Sequence, residues 1–363
     1  MYKKIYDIDN LYLASHNALK GKKSKRSAAR FWLYEDREIL QMHKELKNKE
    51  YTFGGYNSFI LHDNGVDRRI SVAPFRDRVL HHAIMQQIEP LFEKSFIYDS
   101  YANRKGKGTL NALKRAKYFA NKYRYVLQLD IQKFFPSIDY EILLSLLRKK
   151  VSCVETMELL EKLIANSNRQ DDAFFYFQGD TLFTPFQNKK GIPLGNLTSQ
   201  FFGNLYLSQY DHFVKERLKV KGYIRYVDDT LYFSNSKIFL EDIIKKIKLF
   251  LGSFRLKIHP LKIKLLETVK GFIFLGNKVF KTHFRLTSKA IRRGRKNLKK
   301  ISYDYRYDRV NLTEAKNSIF GTIGFFKMGN NAKIIDELLA QTILKKEPFA
   351  EVVPSGRFVE QQC

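Results

Sequence analysis

Apolar and polar positions alternate with two different periods along the chain, and the period predicts its elements. Residues 11–50 read as helix, with an amphipathic stretch over 31–46. Residues 51–73 alternate in the manner of strands. Helical spacing returns over 76–92, with Val79, Leu80, Ala83, Ile84 and Ile88 on one face. The basic turn Lys105-Gly106-Lys107-Gly108-Thr109 precedes a helix over 110–123, where Thr109 suits the N-cap. An apolar strand, Tyr125–Asp130, follows. A turn with Pro136 then leads into a helix near Asp139. Residues 166–190 are polar and aromatic, as in a loop or hairpin. The turn Gly191-Ile192-Pro193-Leu194-Gly195 precedes a long helix over 199–219. Residues 223–233 read as a hairpin with Asp228 and Asp229 at its tip. An amphipathic helix over 238–251 and short strands over 262–282 follow, and the rest is helical to about residue 345. The pattern predicts a continuous α+β chain without internal repeats.

Composition narrows the class. The 363 residues hold 65 Lys and Arg against 37 Asp and Glu, a net charge of +28. Hydrophobic residues make up 44%, enough for a core, so global disorder is excluded. No apolar run approaches the roughly 20 residues of a membrane span, and the first residues lack the apolar block of a signal peptide. With only Cys153 and Cys363, neither a disulfide framework nor a cysteine zinc site is supported, and a reducing cytoplasm is expected. The charge calls for a polyanionic partner, nucleic acid before anionic membrane; a merely basic protein is the plainer alternative. The 21 Tyr and 30 Phe add rings that can stack on bases as well as fill cores.

Three carboxylates carry the candidate chemistry. Asp130 ends an apolar strand, where an isolated charge is costly to bury. Asp228 and Asp229 sit between apolar runs. If the two strands are neighbours, three carboxylates meet at one end of a sheet and repel one another unless cations neutralise them. Oxygen ligands suit hard ions such as Mg²⁺. Two such ions about 3.5–4 Å apart serve in-line phosphoryl transfer. An acidic turn and a strand-end cap are the bland alternative.

The blocks around these residues resemble those of reverse transcriptases, in the family's order. Tyr226-Val227-Asp228-Asp229 resembles its YxDD signature. Residues 129–139, beginning Leu129-Asp130-Ile131, resemble its first catalytic block, and residues 191–200, Gly191 to Gln200, its second palm block. His259-Pro260-Leu261-Lys262 and Phe274-Leu275-Gly276 resemble the lysine and primer-grip blocks. Residues 100–109 resemble a template-contacting finger block. The resemblance runs from about residue 30 to 300. The wording IPLGNLTSQ and SYANRKGKGT is similar to that of diversity-generating retroelement enzymes and of stand-alone bacterial relatives linked to phage defence. The stretch from Asp171 to Lys190 is long for the simplest retroelement enzymes and keeps the defence reading open.

The resemblance implies an α+β right-hand polymerase: fingers with a basic N-terminal helical region over 1–122, palm over 123–282, helical basic thumb over 283–345 and a tail over 346–363. It implies RNA-templated DNA synthesis with two Mg²⁺ ions, Mn²⁺ being a possible substitute. Asp130, Asp228 and Asp229 would be the catalytic aspartates, with the Ile131 carbonyl as a further metal ligand. Lys262 would protonate or neutralise the leaving pyrophosphate. Arg68 or Arg69 would hold the triphosphate, Phe135 would stand as a gate beneath the incoming sugar, and Leu194, Gly195 and Gln200 would line the nascent base pair. Where relatives carry Gln, Leu194 loses hydrogen-bonding capacity, which predicts loosened selectivity. Arg104, Lys105, Lys107, Tyr226 and the turn at Phe274, Leu275 and Gly276 would contact nucleic acid. The implied partners are a template or non-coding RNA, an RNA–DNA hybrid and deoxynucleoside triphosphates, with a small accessory protein or a second reverse transcriptase as further candidates and no membrane. A catalytically silent RNA-binding protein is the competing class.

Overall fold

The computed structural model describes residues 1–63, 66–167, 173–329 and 331–346. Asp171 and residues 347–363 of the expected tail lie outside them. The chain divides into two compact units, 1–270 and 271–363.

The first unit is built around a four-stranded antiparallel sheet. Strands β1 (Asn57–Asp63) and β2 (Val66–Val72) form a separate two-stranded ribbon. The sheet contains β3 (Tyr125–Asp130), β4 (Gly222–Tyr226), β5 (Asp229–Ser234) and β6 (Lys264–Glu267), in the order β4-β5-β3-β6. Val126, Leu127 and Leu129 of β3 are all buried, as expected for a central strand covered on both faces. The Leu197–His212 helix has a nearly apolar or small surface all round, and twelve of its residues are buried. A helix of that kind belongs inside a core. It continues into a π-helical turn, Phe213–Arg217, rather than running to 219 as its periodicity predicts. The Phe75–Glu93 helix packs beside it and against the N-terminal Ile8–Leu19 helix.

Two local expectations are corrected. Thr109 is not the N-cap of the Thr109–Lys122 helix; Gly108 is, at φ 94°, and Thr109 turns its hydroxyl to the Tyr226 hydroxyl, 3.1 Å away. A third short strand interrupts the region read as helix after 282. The second unit holds β7 (Phe272–Phe274), β8 (Asn277–Val279) and β9 (Phe284–Leu286) as an antiparallel meander. The basic Ser288–Arg306 helix and two further helices, Leu312–Phe326 and Ala332–Ala340, follow. Among the described residues, no helix is long and apolar enough to cross a membrane.

Candidate active site

Strand register brings the predicted carboxylates together. In the β3–β5 ladder Asp130 stands opposite Asp229. Tyr226 pairs with Asp229 across β4 and β5, so Val227 and Asp228 form a two-residue turn between them. Asp229 therefore opens β5 rather than sharing the tip. Val227 has φ 57°, the left-handed region, which strains a β-branched residue by about 1–3 kcal/mol. Strain of this size persists only where surroundings over-determine the backbone.

The opposite wall is formed by the chain after β3. Ile131 bridges Ile258; His259 N–H donates to the Asp130 carbonyl and Gln132 N–H to the Lys257 carbonyl, each at 2.8 Å. In this pairing the polar groups of Ile131 itself point away from Ile258, so its carbonyl faces out of the ladder. The same ladder carries the single turn Pro260–Lys262, which brings Lys262 Nζ to 2.8 Å from Asp130 Oδ2 as donor.

The electrostatics show an excess of negative charge. Burial, then the charge of Asp130, pushes the Asp228 carboxyl up to about 6; Lys262 and Arg68 partly oppose this. Asp229 keeps an exposed edge, yet the protein around it displaces water, and with Asp228 and Asp130 beside it its carboxyl rises to about 7. The charge of Arg68, one of the two predicted fork residues, reaches Asp228. Both Arg68 and Arg69 lie on the exposed β2, opposite Leu61 and Ile60.

The second palm block is tied to that ribbon. Ser71 N–H donates to the Leu194 carbonyl at 3.1 Å, and Asn196 Nδ2 to the Ser71 carbonyl at 3.0 Å. Gly195 has φ 109°, which strains any other residue, and a Cβ there would press on Ile70 Cγ2 at 3.1 Å. The Leu194 side chain is half-buried and Gln200 is exposed. Phe134 is buried, whereas the neighbouring Phe135 ring is only half-buried. Both rings lie over Gly203, where a Cβ would come within 3.1 Å of Phe134 and 3.3 Å of Phe135.

Other predicted contacts are placed differently. Arg104 does not project outward: its guanidinium donates to Glu93 Oε1 and to the carbonyls of Ile97 and Ser100, at 2.6–3.0 Å. Three inward acceptors explain why the side chain is 7% exposed. Lys107 lies over the Tyr98 ring at 3.5 Å and donates to the Tyr98 carbonyl; burial lowers its pKa. Lys105 remains exposed. Phe274, in the second unit, is buried, so of its block only the Leu275-Gly276 turn is partly open. Asn277 Nδ2 donates to the Leu275 carbonyl, and Thr287 to that of Gly276.

The sequence pattern did not single out Arg225, Asp211 or Asn204. Arg225 and Asp211 are wholly buried and paired at 2.7 Å beneath the Val227-Asp228 turn. A signal was present, since Arg225 interrupts an apolar strand and Asp211 interrupts a helix without a polar face.

Comparison with known proteins agrees with the geometry. The reverse transcriptase (RNA-dependent DNA polymerase) family matches residues 60–279. Protein YkfC of Escherichia coli K12 is 23% identical over 265 residues, covering 62% of this chain and 67% of that protein. The group II intron-encoded protein LtrA of Lactococcus lactis is 24% identical over 154 residues, 42% of this chain and 24% of that one. A COX1/OXI3 intron 2 protein of Saccharomyces cerevisiae is 22% identical over 214 residues. The chain thus spans about two thirds of YkfC and about a quarter of the intron proteins. A telomerase of Candida tropicalis, solved with a fragment of telomeric RNA, shares the fold at TM-score 0.50 and 12% identity, covering 80% of this chain and 55% of that one. The α+β fold is that of a right-hand polymerase, and the chain belongs to the reverse transcriptase family, the RNA-dependent DNA polymerases.

Proposed function

We propose that the protein extends a DNA primer on an RNA template from deoxynucleoside triphosphates, by nucleotidyl transfer at Asp130, Asp228 and Asp229. The observation that carries this reading is the register of Asp130 opposite Asp229 beside the Asp228 turn, with two carboxyls raised by burial and mutual repulsion. That donor set fits hard divalent cations. Among the described residues no three His, Cys, Asp or Glu side chains are already grouped to hold a metal ion, and Lys262 stands as the cation beside Asp130. Asp130, Asp228, Asp229 and the Ile131 carbonyl would hold Mg²⁺, or Mn²⁺ in its place. Bound there, the ions would supply activation of the primer 3′-hydroxyl and charge neutralisation at the leaving group.

The chain's own residues do the rest. Arg68, whose fork suits phosphate oxygens, holds the triphosphate; Arg69 is its neighbour on the outer ribbon. Lys262 exchanges Asp130 for the departing pyrophosphate and neutralises it. Phe135 presents a ring to the incoming sugar and excludes a 2′-hydroxyl. Tyr226 backs the turn through Thr109. Leu194, Gly195 and Gln200 lie along the nascent pair. Primer extension by the purified protein on an RNA template tests this reading; absence of a Mg²⁺-dependent product would contradict it.

Two consequences are measurable here. Replacing Leu194 by Gln gives the nascent pair a hydrogen-bonding neighbour, so misincorporation falls, most visibly opposite template adenines. Sequencing of the cDNA checks this, and an unchanged error rate there contradicts it. The second concerns pH. The Asp228 and Asp229 carboxyls titrate near 6 and 7 when folded, against 3.8 for a free carboxyl, so the folded protein binds their protons more tightly. Their contribution to stability is greatest at acid pH and is lost as pH rises from about 4 through 7. His81, buried and held down to about 3, and His82, at about 4, act in the opposite sense. The expected result is therefore a difference. At pH 8 without metal, Asp229→Asn melts higher than wild type; at pH 4 the two converge. Mg²⁺ raises the melting temperature of wild type alone. Equal melting at pH 8 would contradict the account.

As for biological role, the IPLGNLTSQ and SYANRKGKGT wording favours a diversity-generating retroelement enzyme copying a dedicated template RNA, with a small accessory protein. The long segment before Gly191 favours the second reading, a defence enzyme with its own non-coding RNA and, in some arrangements, a second reverse transcriptase. Its described part is tied down, Arg255 Nη2 donating to both oxygens of Asp180 at 2.9–3.1 Å. Sequencing the RNA that co-purifies with the protein separates the two.

A further inference from the structure

The Arg225 guanidinium is wholly buried and divides its donors between two sides. One edge is fixed: Nε donates to Asp211 Oδ1 at 2.8 Å and Nη2 donates to Asp211 Oδ2 at 2.7 Å. Asp211 Oδ1 also accepts the Tyr223 hydroxyl at 2.8 Å. The other arm, Nη1, donates to Asn204 Oδ1 at 3.0 Å and to the Val227 carbonyl at 3.2 Å. Val227 is the strained residue of the carboxylate turn. Arg225 is also clamped through its backbone: its N–H donates to the Asp99 carbonyl and its carbonyl accepts Tyr101 N–H, each at 3.0 Å.

We infer that Arg225, oriented by Asp211 and Asn204, is a positioning residue that pins the Val227–Asp228 peptide and so aims the Asp228 carboxylate at its neighbours. The inference rests on the polymerase reading and deepens it. The physical case has three parts. A left-handed β-branched residue tends to relax by rotating its peptide, and that rotation would turn Asp228 as well. A charged donor on the Val227 carbonyl opposes the rotation more strongly than a neutral one. Only a planar fork can grip a carboxylate with one edge and steer a backbone carbonyl with its other arm; a lysine ammonium satisfies one side or the other. Groups that orient metal-binding side chains from behind typically alter metal affinity or activity by about 10–100-fold when replaced.

The test is single-nucleotide incorporation on an RNA template with a DNA primer, over a Mg²⁺ titration, for the full chain. Wild type, Arg225→Lys, Val227→Gly, the double variant and Asn204→Ala are compared, with hybrid binding and melting measured alongside. Arg225→Lys is expected to raise the Mg²⁺ needed for half-maximal rate by about 10-fold or more while hybrid affinity stays at the wild-type value. Val227→Gly relieves the strain, so adding it to Arg225→Lys restores part of the Mg²⁺ response. A purely structural role would lower melting and hybrid binding without moving the Mg²⁺ requirement, and glycine would rescue nothing. Should Arg225→Lys fail to fold, Asn204→Ala, which leaves the ion pair intact, decides: a raised Mg²⁺ requirement supports the clamp and an unchanged one overturns it. An inert wild type overturns the polymerase reading and the clamp with it. An active wild type matched by Arg225→Lys in Mg²⁺ response overturns the clamp alone.

Discussion

Replacing Asp228 with Asn is expected to reduce nucleotide incorporation at least about a thousandfold, or ~4 kcal/mol of barrier, while leaving the protein folded and bound to its hybrid. The expectation follows from where Asp228 is placed. It sits in a two-residue turn with a strained predecessor, opposes no strand partner, and holds a carboxyl pushed up to about 6 by burial and by Asp130. A folded protein gains nothing from that arrangement. Asn keeps the volume and removes the charge, so stability holds or rises while cation binding is lost. Steady-state extension together with anisotropy of a labelled RNA–DNA hybrid checks both halves. Retained extension, or loss of hybrid binding in step with activity, would contradict the assignment. Asp130→Asn is expected to behave alike, and it additionally releases Lys262.

The second large effect is on stability. Asp211→Leu alone leaves the Arg225 charge buried with no carboxylate beside it, and Arg225→Met alone does the converse. Each is expected to destabilise the protein by roughly 3–5 kcal/mol, because the remaining charge is stranded away from water. Asn204 and the Val227 carbonyl offer the guanidinium some compensation, but no counter-charge. The pair of changes together replaces the ion pair by apolar volume and is expected to be less destabilising than the sum, and less than either single change. Chemical denaturation of the four proteins gives the cycle directly. Additive losses would mean that the pair is not coupled, contrary to its 2.7 Å contact and complete burial.

Much of this site was legible in the sequence because its parts are local. The apolar run ending at Asp130 and the apolar runs flanking Asp228-Asp229 each define a strand without outside help, and antiparallel register then sets the acids face to face. Glycine at 195 announces a turn for a comparably local reason, the positive φ that glycine adopts without strain. What could not be read depends on partners that only the folded chain brings together. Arg104 looks like a surface cation until Glu93 and two carbonyls of the preceding segment are seen to enclose it. Arg225 meets Asp211 from another element, and neither residue's neighbours announce the pairing. That the Arg68 charge reaches Asp228 is likewise a property of three-dimensional placement rather than of alternation. Phe274 follows the same rule, since its block resembles a nucleic-acid contact while the residue is buried.

The charge that first pointed to a polyanion is now divided by location. Exposed cations cluster at Lys20, Lys22, Lys23, Lys25 and Arg26 and along the Ser288–Arg306 helix, away from the acid cluster in sequence. If these hold the hybrid, its affinity falls steeply as salt rises, by counterion release.

The central claim is that Asp130, Asp228 and Asp229 make this chain an RNA-templated DNA polymerase. The most direct test is extension of a labelled DNA primer annealed to RNA, by the purified chain, with four deoxynucleoside triphosphates and Mg²⁺. The account predicts template-length DNA that disappears with chelator and with Asp228→Asn; no product, or a product indifferent to that substitution, would contradict it.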